Sequence, residues 1–112
     1  MEEIIFEDFL KIELRTGTII KAQVFEGAKK PAYQIWVNFG STIGVKKSSA
    51  QVTHLYKPEE LIGKQIIGVI NFKPKQIGSF MSEFLLTGFE NDEGKIVLAV
   101  PDKPVPNGKK LI

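Results

Sequence analysis

Tyr33-Gln34-Ile35-Trp36-Val37-Asn38-Phe39 alternates with a period of two: Tyr33, Ile35, Val37 and Phe39 share one phase, Gln34, Trp36 and Asn38 the other. Such alternation marks a strand with one face buried. Upstream, Thr16-Gly17-Thr18-Ile19-Ile20-Lys21-Ala22-Gln23-Val24-Phe25 is rich in β-branched residues and roughly alternating, which predicts the first long strand, with Gly17 suggesting a bend or bulge. The turn-rich Gly27-Ala28-Lys29-Lys30-Pro31 joins the two.

Downstream, Ser41 to Gly44 turns the chain, and Val45-Lys46-Lys47 suits a short third strand. Ser48-Ser49-Ala50-Gln51 has the Ser-x-x-Gln spacing of a capping box, so a helix is expected to begin near Ser49. Val52, Leu55 and Tyr56 would share its inner face, and Pro58 would lie just past its end. Gln65 to Phe72 is almost continuously apolar, as expected of a central strand buried on both faces, and Lys73-Pro74-Lys75 breaks it into a basic loop. Ser82–Leu86 and Lys95–Val100 supply two more strands, separated by the turn Asn91-Asp92-Glu93-Gly94. At the ends, Phe6, Phe9 and Leu10 have helical spacing, while the tail Pro101–Ile112 carries the turn signal Pro106-Asn107-Gly108.

Strands in series, interrupted by one short helix between the third and fourth, predict a mainly β fold. The best match is a five-stranded, partly open Greek-key OB barrel with terminal extensions, one domain over residues 1–112. Element order alone also admits an SH3-like barrel.

Composition narrows the function. The 112 residues hold 43% hydrophobic and 25% charged side chains, ordinary for a folded globular chain. Lys and Arg outnumber Asp and Glu by only 15 to 13, so attraction to a polyanion must come from local clustering. There is no cysteine, which removes disulfides, thiolate nucleophiles and cysteine-bound zinc and suits a reducing cytosol. The acidic first eight residues lead into no sustained apolar run, so neither a signal peptide nor membrane insertion is expected and the cytoplasm is the default address.

Chemistry-bearing residues gather in one region. Lys73 and Lys75 straddle Pro74, with Phe72, Phe80 and Met81 placing apolar surface beside them. For a nucleic acid the lysines would meet phosphates and the rings would stack on bases; for a peptide the same apolar groups would line a pocket with a charged rim. Trp36 is out of phase with the buried side of its strand, which suits either a ligand or subunit contact or a small second apolar layer beneath a loop. Lys29-Lys30 and Lys46-Lys47 are basic doublets beside strands. Arg15 could reach a phosphate or, as the reading favoured here, pair with Glu13 or Asp102, and the lone His54 has no second ligand at metal spacing. No Ser-His-Asp grouping, phosphate loop or metal-spaced acid cluster is present, so no enzyme, cofactor or metal is expected.

Family identity is carried by Arg15-Thr16-Gly17-Thr18-Ile19, Ala28-Lys29-Lys30-Pro31-Ala32-Tyr33, Phe39-Gly40 and Ile43 through Thr53. It continues in Tyr56-Lys57-Pro58-Glu59, Val69-Ile70-Asn71-Phe72-Lys73-Pro74, Pro101-Asp102 and Val105-Pro106-Asn107-Gly108. In order and across nearly the whole chain, these stretches resemble the tRNA-binding domain family, and within it the chaperone-like CsaA branch. The resemblance implies an OB fold, a homodimer formed through terminal extensions, binding of unfolded or export-competent polypeptides, and kinship with the tRNA-binding domains appended to some aminoacyl-tRNA synthetases. The wider family's Asn-x-Lys-Pro stretch and following basic loop correspond to Asn71-Phe72-Lys73-Pro74-Lys75, then Ser82-Glu83. Where tRNA binders carry further basic and Gly-Met residues, this chain has Gln76-Ile77-Gly78-Ser79-Phe80-Met81 and the acidic Glu83.

The sequence therefore leads to the expectation of a non-catalytic, ATP-independent, export-related chaperone acting as a homodimer, the alternative being a structure-specific tRNA binder. The expected peptide- or RNA-binding residues are Trp36, Lys46, Lys47, Asn71, Phe72, Lys73, Lys75, Phe80, Met81, Ser82 and Glu83.

Overall fold

The computed structural model describes all residues 1–112. Its main sheet has five strands in the order β3-β2-β1-β4-β7, formed by β1 (Leu14–Val24), β2 (Tyr33–Asn38), β3 (Val45–Ala50), β4 (Gln65–Val69) and β7 (Leu85–Leu86). Two hairpins complete the chain: β5 (Lys75–Ile77) with β6 (Phe80–Ser82), and β8 (Gly88–Glu90) with β9 (Ile96–Leu98). Short helices α1 (Phe6–Leu10) and α2 (Pro58–Leu61) stand before β1 and between β3 and β4. This is the expected five-stranded OB-type barrel, nearly closed.

The long first strand makes the curl. Its N-terminal half, Leu14 to Thr18, pairs antiparallel with β4, and from Thr18 onward it pairs with β2. Between the halves Ile19 faces Val37 and Lys21 faces Trp36, so Ile20 is an extra residue, a bulge that bends the strand. The bend is therefore at Ile20 and not at Gly17, which pairs regularly with Ile66. Gly17 is there for closeness: a Cβ on it would strike Val37 Cγ1 and come within 2.8 Å of the Phe39 ring. Gly68, on the neighbouring strand, leaves room for the same ring and for Phe84.

Alternation along β2 is obeyed. Tyr33, Ile35 and Val37 are buried and join Ile19, Phe39, Leu61, Ile66, Phe84 and Leu98 in the barrel core. Three expectations need correction. The third strand runs on through Ala50, because the Ser48 hydroxyl bonds across the barrel to the Phe84 carbonyl at 2.7 Å instead of capping a helix. The helix starts at Pro58 instead of ending before it. Proline lacks only an N–H that the first helical turn leaves unpaired, and the Glu60 carboxylate accepts from Lys57 N–H at 2.9 Å. Finally, the apolar run from Gln65 is a strand only to Val69: Ile66, Gly68 and Val69 are buried, while Gln65 and Ile67 are half-buried, so its second face is only partly covered.

The tail is stitched to β1. Gly108 N–H donates to the Thr16 carbonyl at 2.7 Å, Thr16 N–H to Lys109 at 3.0 Å, and Leu111 N–H to Leu14 at 2.8 Å. Arg15 bonds the Glu13 carboxylate at 2.6 Å and the Gly108 carbonyl at 2.9 Å, so of its two expected partners Glu13 is the one used. Lys110 completes the cluster on Glu13 at 3.0 Å, and these two donors hold the Glu13 carboxyl below its ordinary pKa.

Candidate ligand-binding groove

The barrel closes between β3 and the β6–β7 segment, largely through side chains. Glu83 N–H donates to the Lys47 carbonyl at 2.8 Å, and Lys47 N–H donates back to the Glu83 carboxylate at 3.0 Å. Two residues further along β3, Ser49 N–H donates to Ser82 Oγ at 3.1 Å, and Ser82 Oγ lies 3.2 Å from Ser48 Oγ. Because Ser48 spends its single proton on the Phe84 carbonyl, the proton between the two hydroxyls belongs to Ser82. A relay thus runs from Ser49 N–H through Ser82 and Ser48 to Phe84.

Over this seam lies a cleft of about 320 Å³ whose walls include Ser48, Ser49, Phe72, Lys73, Lys75, Ile77, Ser82, Glu83, Phe84 and Leu85. Its apolar lip is open to solvent: Phe72 is 59% exposed and Leu85 50%. A second cleft, of about 560 Å³, shares Ser49, Lys75 and Ile77 with the first and continues past Gln76 and Gly78 to Gly27, Ala28, Lys29 and Lys30. The two form one groove. None of Lys29, Lys30, Lys73 and Lys75 is ion-paired, and the only carboxylate lining either cleft, that of Glu83, accepts the Lys47 N–H.

The structure brings together five of the expected residues, Phe72, Lys73, Lys75, Ser82 and Glu83. The others are placed differently. Phe80 was expected to present apolar surface beside the lysines. It is only 6% exposed, packed on Phe25 at 5.4 Å and edge-on to Trp36 at 5.9 Å between ring centroids. Trp36 is half-buried in that small second core with Phe25, Ala32, Ala28 and Ile77, where the β5–β6 hairpin folds over the outer face of β2. This is the apolar layer beneath a loop, one of the two roles weighed for it.

Lys21 Nζ sits 4.6 Å from the Trp36 ring and Lys47 Nζ 5.2 Å from that of Phe80, each a cation over an aromatic face. Lys46 and Lys47 occupy successive strand positions and so opposite faces of the sheet, which prevents them from acting as a doublet. Asn71 is a staple: its Oδ1 accepts from Glu13 N–H at 3.0 Å and its Nδ2 donates to the Lys11 carbonyl at 2.7 Å. Met81 is exposed and lines neither cleft. Sequence reading passed over Ser48, Ser49, Ile77 and Leu85 as lining residues. Only Ile77 lies next to the Lys-Pro-Lys loop in sequence; Ser48, Ser49 and Leu85 reach the cleft through the fold.

The tRNA binding domain family model matches residues 14–110. The chain belongs to that family. Two solved structures are alike over essentially their full length: chaperone CsaA from Bacillus anthracis, 44% identical over 99% of this chain and 100% of that one with a TM-score of 0.92, and the CsaA chaperone protein from Picrophilus torridus, 46% identical over 98% and 100% with a TM-score of 0.91. Methionine--tRNA ligase of Parabacteroides distasonis is 32% identical over 112 residues, covering 98% of this chain but 16% of that protein. The chain thus spans about a sixth of the ligase it matches. The family is a binding domain and not a catalytic one. No helix is long and apolar enough to cross a membrane.

Proposed function

We propose that this chain is a non-catalytic, ATP-independent chaperone of the CsaA kind that holds unfolded or export-competent polypeptide segments reversibly, as a homodimer. The observation that carries the reading is the solvent-open apolar lip of the groove, Phe72 and Leu85, set above the closed barrel core and rimmed by Lys73 and Lys75. An apolar side chain of an extended segment entering there leaves water, worth about 25 cal/mol for each Å² buried. Dimerisation is supported by apolar side chains at the ends, among them Ile5, Phe6, Leu111 and Ile112, which are exposed in the single chain.

The decisive experiment titrates a labelled, permanently unfolded polypeptide with the purified protein at low and moderate salt, with and without ATP, while light scattering reports assembly. Binding that survives salt, is indifferent to ATP and weakens several-fold in Phe72→Ala supports the reading. Binding absent from the wild-type protein, or unchanged in Phe72→Ala, would overturn it, and a monomer by scattering would remove the dimer.

A second reading, tRNA binding through the same groove, is favoured by one specific observation: the four groove lysines Lys29, Lys30, Lys73 and Lys75 have no carboxylate partners. Phosphates would supply the missing counter-charge, and the exposed Phe72 ring beside Lys73 is placed to stack on a base.

A further inference from the structure

Asn107-Gly108 is the one place in the chain where glycine follows asparagine. With no side chain on the glycine, its backbone nitrogen has open access to Cγ of the asparagine. The fold holds both of these groups. Gly108 N–H donates to the Thr16 carbonyl at 2.7 Å, and Asn107 Oδ1 accepts from the Thr18 hydroxyl at 2.8 Å and from Gln65 Nε2 at 3.4 Å. Past the turn, the bonds of Thr16 and Leu111 and the bridge between Arg15 and Lys110 lay the tail along an edge of β1 that β4 does not cover and β2 does not reach. The turn has no spare room. A Cβ on Gly108 would lie 2.6 Å from the Phe39 carbonyl oxygen, and one on Gly40 would lie 3.0 Å from that of Asn107.

We propose that Asn107-Gly108 is a self-modifying joint: inert while the tail is pinned to β1, it deamidates when the tail lifts, and its isoaspartyl product no longer fits the stitch. In the lifted tail the Gly108 nitrogen gives up its proton to solvent and bonds to Cγ of Asn107. The bond from Cγ to the side-chain amide nitrogen breaks, and that nitrogen takes a proton from solvent and leaves as ammonia. Water then opens the cyclic imide. Cutting the new bond to Cγ gives aspartate, and cutting the original main-chain bond gives isoaspartate. The two products differ in consequence. Aspartate offers Thr18 and Gln65 the same acceptor as the amide oxygen, so the turn survives. Isoaspartate adds a methylene to the main chain where there is no space for it, which puts the tail out of step with Thr16 and Leu14. The edge of β1 is then bare, a template for pairing with another chain.

The test ages wild type, Thr18→Val and Thr18→Ser in mildly alkaline buffer, both folded and in urea. Peptide mapping by mass spectrometry follows amide, aspartate and isoaspartate at position 107. Because only the opened fraction reacts, folded wild type should deamidate at least about ten-fold more slowly than in urea. Thr18→Val, lacking one hydrogen bond to the joint, should react about two- to ten-fold faster than wild type when folded and at the same rate in urea, with Thr18→Ser restoring the folded rate. Hydrogen exchange then reads the stitch: the Thr16 and Leu111 amides should lose protection in the purified isoaspartyl form and keep it in Asn107→Asp. Equal rates folded and in urea, or equal folded rates for wild type and Thr18→Val, would overturn the pinning. Amides still protected in the isoaspartyl form would overturn the release.

Discussion

Replacing Ser48 with alanine tests whether the barrel is held shut by the hydroxyl relay. Ser48 is 1% exposed, donates to the Phe84 carbonyl at 2.7 Å and accepts from Ser82. Alanine fits the space, so the change is confined to polar groups. The half-buried Ser82 hydroxyl can turn toward the cleft and find water, whereas Phe84, only 4% exposed, loses the donor to its carbonyl. Losing the partner of one buried acceptor costs about 1–3 kcal/mol. At roughly 4 °C per kcal/mol for a domain of this size, Tm should fall by about 4–12 °C. Ser49→Ala is the matched control: it lies on the opposite face of the same strand, and its hydroxyl makes no hydrogen bond, so its change should stay within about 0.5 kcal/mol. Urea and thermal melts of both variants decide the matter. Equal stabilities for Ser48→Ala and Ser49→Ala would refute the relay as the closing element.

The Gly17→Ala variant should lose about 1–3 kcal/mol by overpacking against Val37 and Phe39, read as a lower urea midpoint; an unchanged midpoint would mean the strand can shift to make room. In pH, Glu13, held below its ordinary 4.5 by Arg15 and Lys110, adds stability that is complete above 4.5 and lost as pH falls from there through its lowered pKa, so Glu13→Gln should flatten the acid limb of the stability profile. Tyr33 is shifted the other way, above 10.0, by burial and by Glu59 and Glu60. Its stability is complete below pH 10.0 and lost above, a limb that Tyr33→Phe should abolish in melts followed by circular dichroism. Lys73→Ala/Lys75→Ala should weaken tRNA binding far more than polypeptide binding, as measured by parallel titrations, and equal losses would contradict the assignment of those lysines to phosphate.

Much of the barrel is legible in the sequence because its decisive signals are local. The Tyr33–Phe39 alternation needs only the period of a strand, and the β-branched run after Arg15 needs only intrinsic preference. What is not legible depends on partners far along the chain. Ser48 reads as a helix cap by spacing, but Phe84 and Ser82 compete for its hydroxyl from 36 and 34 residues away, and a bond across the barrel seam outweighs a local cap. Phe80 reads as a loop aromatic, but Phe25 and Trp36 cover it once the hairpin folds over β2. Likewise the Lys-Pro-Lys loop announces itself, whereas Lys29 and Lys30 join it only through the fold.

The same interactions that close the barrel set the character of the groove. Glu83 is the one acid in its walls, and in solution it would neutralise a neighbouring lysine. Its carboxylate instead satisfies Lys47 N–H at the open edge of β3, where an unpaired backbone donor would otherwise remain. Lys47 itself is drawn aside over the Phe80 ring, so the cations left facing the groove are Lys29, Lys30, Lys73 and Lys75, unopposed. Closing the seam and leaving the groove cationic are therefore one arrangement, with the apolar lip at Phe72 and Leu85 at one end and the lysine loop at the other. The same domain recurs in relatives named as chaperones and as a segment of a tRNA ligase, so the fold by itself does not fix one ligand.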